Sequence, residues 1–181
     1  ARADSTEPAS QSNPQPVSEA KPLPDYAKWK DANSLIVHSA NTIETRRNAV
    51  GSSVITPLNR LFIRNNVTPP PASITDDPNA WKISVEGVGK PRSFTVAELK
   101  EMGLQALPMV LQCSGNGRAY FPHNPGVTQW TVGAAGCVIF TGVPIANLVE
   151  ALGGVSDGMV YMTGTGGEDI PAGLDPNTVM I

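Results

Sequence analysis

Cysteine, histidine and aromatic side chains are scarce in this sequence: two Cys, two His and 6% aromatics among 181 residues. Cys113 and Cys137 have no CxxC or Cys/His spacing, and His38 and His123 are the only histidines, so a structural zinc cage is poorly supported. A disulfide between the two cysteines is left open, because spacing alone does not fix their separation in space. Charge is also low, at 16% of residues, with a net charge of −3 and dispersed Lys and Arg. No polycationic face for nucleic acid follows from that balance. Nor is there a membrane span: the most apolar stretch, GCVIFTGVPIANLVEALGG, is broken by Pro144 and Asn147 and carries Glu150.

Glycine and proline are abundant, at 17 each, which favours short strands and many loops over a helical bundle. The expected fold class is α+β, mixed and largely β. Residues 1–24, rich in Pro, Ser, Gln and Ala, read as a flexible arm, and 25–181 as the folded part. An Ala1-x-Ala3 pattern resembles the end of a cleaved leader and suggests export.

Within the folded part, Leu35-Ile36-Val37 reads as an extended segment, and Pro69–Pro71 excludes helix there. WKISVEGVGKPRSFTVAELKEMG reads as strand, turn, strand, helix, with Thr95 and Glu98 forming a capping box. ALPMVLQC reads as a buried strand, PIANLVEALGG as a helix stopped by Gly153 and Gly154, and GMVYMTGTGG as a further strand. The final NTVMI suggests a strand beginning, and so a piece of a longer protein.

Cys113 lies where ALPMVLQC meets a Ser/Gly/Asn/Gly turn, a place where a scaffold presents a side chain to a cleft. Three roles compete for it: inert core residue, nucleophile, or ligand to a metal. The nucleophile reading has only His123 nearby in sequence and no neighbouring acid. Arg118 follows closely, and Arg64 lies in another polar, Pro-bounded segment. Fixed guanidinium groups suit a small oxyanion, although either arginine also fits a plain surface position. Cys137, beside the apolar Val138-Ile139-Phe140, reads as core.

LFIRNN around Arg64 and LQCSGNGR around Cys113 resemble the F-x-R-N-H and L-Q-C-A-G-N-R-R patterns of the sulfite oxidase family of molybdenum enzymes. QWTVGAAG is similar to its W-x-x-G-A segment, and the likeness runs from about residue 34 to at least 153. The resemblance implies that 25–181 is the N-terminal portion of a molybdenum-pterin oxidoreductase domain, without its later pterin contacts or dimerisation domain. It implies a molybdenum-molybdopterin cofactor with a single pterin, the metal held by Cys113. Phe62, Ile63, Arg64, Asn65 and Asn66 would wrap the cofactor, Arg64 and Arg118 would hold an anionic substrate, and Trp130 would lie near the rim. Asn66 stands where many members have His, and Gly117-Arg118 where many have Arg-Arg.

The implied reaction is oxidation of sulfite to sulfate, with electrons leaving to a separate cytochrome c in the periplasm, by a protein that is a homodimer when full length. The alternatives are a related molybdenum enzyme acting on another oxyanion or sulfoxide, and a cofactor-free secreted β module that binds a partner.

Overall fold

A computed structural model of the chain describes residues 21–65, 73, 76–123, 126–164 and 178–180. The triple proline and Asn66 lie outside the described residues. The chain is mostly β with few helices, as the composition predicts. A three-stranded antiparallel sheet, ordered β1-β2-β3, joins Leu35–Ser39, Thr42–Thr45 and Ile63–Arg64. Its apolar residues Leu35 and Ile43 are buried against Ala27, with Leu23, Tyr26, Val37 and Ile63 packed around them.

The strand-turn-strand-helix reading holds: β4 (Lys82–Val85) pairs antiparallel with β5 (Arg92–Thr95), which runs directly into α1 (Val96–Lys100). Thr95 accepts from the Glu98 amide while the Glu98 carboxylate accepts from the Thr95 amide, the expected capping box. Thr95→Ala removes one of these acceptors, and a loss of about 1 kcal/mol is expected in denaturant melts, the usual scale for a cap. Val88, Phe94 and Leu152 close a second core beneath α1 and α2 (Ile145–Ala151). Gly153 and Gly154, both at positive φ, follow α2 as expected.

ALPMVLQ does form a strand, β6 (Gln105–Gln112), in an eight-pair antiparallel ribbon with β7 (Ala135–Gly142). Its predicted burial is corrected: every β6 residue is exposed. The ribbon has only two strands, so the apolar run that signals burial has no described layer over it. GMVYMTGTGG supplies β8 (Tyr161–Thr163), which pairs with β9 (Thr178–Met180), the strand foreshadowed by NTVMI.

Candidate functional site

The β6 strand ends at Gln112, and the chain then turns sharply at Cys113. The Cys113 amide donates to the Ala134 carbonyl at 2.9 Å, and its own carbonyl accepts from the Asn116 amide at 2.9 Å. Asn116 also turns its side-chain oxygen to the Ala134 amide, 3.0 Å away. Gly117 closes the turn at φ 88°, a left-handed conformation that a side chain disfavours. The Ser-Gly-Asn-Gly composition thus fixes the backbone that carries the thiol.

Register also settles the cysteine pair. Cys137 pairs with Val110, whereas Cys113 meets Ala134, three ladder positions away. That is roughly 10 Å along a strand, beyond the reach of a disulfide, and both thiols are free. Cys137 is half-buried, with its amide and carbonyl bonded to Thr56.

Cys113 packs against the cluster of Phe62, Trp130 and Ala134 and opens into a cavity of about 650 Å³. The same cavity is lined by Phe62, Ile63, Arg64 and Asn65, so two motifs about fifty positions apart share one space. Pairing of Ile63 with Ile43 buries one side of β3 and leaves Arg64 exposed on the other. Tyr26, Trp29 and Lys30 from the segment preceding β1 complete a wall that the sequence reading did not include. Arg64 and Lys30 are cations, and no carboxylate lines the cavity among the described residues.

Arg118 is placed differently. Its guanidinium folds over Gly115, where an added Cβ would overlap it, and donates to the Thr128 carbonyl at 2.8 Å. It does not line the cavity. Trp130 is likewise not at a rim: it is 1% exposed, edge-on to His38 at 5.3 Å and to Phe62 at 6.3 Å. Its indole forms the floor beneath Phe62.

The floor is secured by a buried carboxylate. Glu44 on β2 is fully buried and accepts from His38 Nε2 at 2.7 Å, from the Gly133 amide at 2.9 Å, and from the amide and hydroxyl of Thr131. An ionised carboxylate only accepts, so Nε2 of His38 carries the proton. Burial opposes ionisation of Glu44, but the bonds from His38, Thr131 and Gly133 outweigh it and hold the carboxyl below its ordinary value. Gly133 sits so close that a Cβ would overlap the Thr45 carbonyl. Gly133→Ala is therefore expected to destabilise by about 1–3 kcal/mol, the range for overpacking, read as a lowered melting temperature.

The residues present fit an anionic cofactor that carries a soft or high-valent metal. A thiolate suits such a metal, a volume of this size suits a small organic group, and the wall is cationic and aromatic. No group of three or more His, Cys, Asp or Glu could hold a metal ion among the described residues.

Residues 68–180 match the model of the oxidoreductase molybdopterin binding domain, and the chain belongs to that family. Cys113 lies within the matched segment, whereas residues 62–65 precede it. No curated protein matches the sequence. The crystal structure of the sulfane dehydrogenase SoxCD from Paracoccus pantotrophus is similar in fold, with a TM-score of 0.53 at 18% identity over 87% of this chain. The chain spans 41% of that structure's length. No described helix is long and apolar enough to cross a membrane.

Proposed function

We propose that this chain carries the N-terminal side of a molybdenum site that oxidises sulfite to sulfate. The observation that supports it best is the meeting of Cys113 with Phe62, Ile63, Arg64 and Asn65 around one cavity whose charged lining residues are all cationic. In this reading the Cys113 thiolate holds the metal, and residues 62–65 lie against a single pterin. Bound there, the molybdenum cofactor would supply the two-electron acceptor.

Sulfite gains one oxygen from water as it becomes sulfate, releasing two protons and two electrons. Arg64, exposed to the cavity and without a carboxylate partner among the described residues, holds the anion. Its planar fork of donors matches the geometry of a small oxyanion. Trp130 and Ala134 pack behind Phe62 and make that side of the cavity apolar. Cytochrome c as acceptor, the periplasm as location and a homodimer of the full-length protein complete the proposal, and come from the family resemblance of the two motifs.

The test is sulfite-dependent reduction of a one-electron acceptor by full-length protein assayed for molybdenum. Turnover is expected. Molybdenum without sulfite turnover would redirect the site to another oxyanion or a sulfoxide, and no molybdenum at all would favour a binding module. Arg64→Gln is expected to raise the KM for sulfite about tenfold, the scale of one hydrogen bond to a charged group. An unchanged KM and kcat would return Arg64 to a surface role.

A further inference from the structure

The segment from Asp25 to Asp31 is held firmly across the mouth of the 57–61 turn. A short 3₁₀ turn (Asp25–Ala27) buries Ala27 completely. Tyr26 donates its hydroxyl to the Ala40 carbonyl, the Asp31 amide donates to the Asn59 carbonyl at 3.0 Å, and Arg60 reaches the Asp31 carboxylate at 3.4 Å. Lys30 donates to the Leu58 and Leu61 carbonyls at 2.5 and 2.9 Å, and its ammonium lies 4.6 Å from the Trp29 ring centre. Those two carbonyls flank the turn that leads into Phe62.

An ammonium has three donors, and two are committed to carbonyls, which leaves one for the cavity that Lys30 lines. Half-buried Lys30 is held below the ordinary lysine range by burial, and an anion in the cavity would favour its charged form. Arg118, the cation expected beside Arg64, is turned onto Thr128 instead.

We infer that Lys30 is the second cation of this cavity, pairing with Arg64 to bind an anionic group, either the phosphate-bearing part of the cofactor or the substrate oxyanion, with Trp29 and Tyr26 as its aromatic side. This rests on the reading that the cavity receives molybdopterin. The strap before β1 is then part of the binding site rather than a lead-in to the fold.

The experiment compares full-length wild type, Lys30→Gln and Lys30→Arg, measuring molybdenum by elemental mass spectrometry, pterin by fluorescence after oxidation, and the KM for sulfite. In Lys30→Gln, cofactor retained through dialysis at rising salt is expected to fall by about tenfold, as for one lost bond to a charged group, with recovery in Lys30→Arg. Full cofactor content with a KM raised to the same extent, again recovered by Arg, would assign the ligand as the substrate oxyanion. Unchanged content and KM in Lys30→Gln would overturn the inference, as would Lys30→Arg proving equally defective, since carbonyl capping and not charge would then be at stake. Wild type that lacks molybdenum and pterin would bring down the underlying reading as well. Lys30→Met, which keeps the apolar stem, replaces the Gln variant if that fails to fold.

Discussion

Glu44→Leu is expected to lower stability by about 3–5 kcal/mol, the range for breaking a buried, hydrogen-bonded charge. Leucine fills the space but leaves the His38 ring, two backbone amides and the Thr131 hydroxyl without their acceptor. Each buried orphan donor costs more than an ordinary hydrogen bond contributes. For a chain of this size the loss corresponds to a melting temperature roughly 10 °C lower.

Glu44→Gln keeps one carbonyl oxygen and should fall between the two. The pH dependence has a definite sign. Because the folded state holds Glu44 below its ordinary value of 4.5, its contribution is present above that pH and is lost as pH falls through the folded value. The stability gap between wild type and Glu44→Gln should therefore narrow in acid. A constant gap from pH 7 to pH 3 would show that packing, not ionisation, sets the effect.

The second large effect is expected at Cys113. Changes in the outer shell of a metal site cost about 10–100-fold, and replacing the proposed ligand itself should exceed the top of that range. Cys113→Ser is expected to lose most sulfite-dependent turnover while its far-UV circular dichroism and melting temperature stay close to wild type. The fold should tolerate the change because backbone groups, through Ala134 and Asn116, hold this position. Normal turnover in a metal-loaded Ser variant would end the ligand assignment.

Local chemistry was legible in the sequence, and closure over long distances was not. Cys113 and residues 62–65, which the structure brings to one cavity, stand out in the sequence because each motif is contiguous. The capping box and the stop of α2 were legible for the same reason: their partners lie within a few residues. Arg118 was expected in the cavity, but a guanidinium follows whichever acceptor is in reach, here the Thr128 carbonyl. Trp130 was expected at a rim, yet it is buried, with edge-on contacts to His38 and Phe62. Lys30 and Glu44 gave no local sign. Glu44 lies among polar residues in HSANTIETRR, so its burial between Ile43 and Thr45 shows only in the structure.

The Glu44 carboxylate meets partners 87 and 89 positions further along the chain. Contacts of that separation are expected to form late, since the loop they close must lose its entropy before any bond compensates. Until Thr131 and Gly133 supply their donors, burying the Glu44 carboxylate would cost it its water without replacement, so the floor under Phe62 cannot close. Cavity assembly is thus expected late in folding, and a cofactor delivered earlier would meet no site. Pulse-labelled hydrogen exchange should show the Thr131 and Gly133 amides among the last to gain protection.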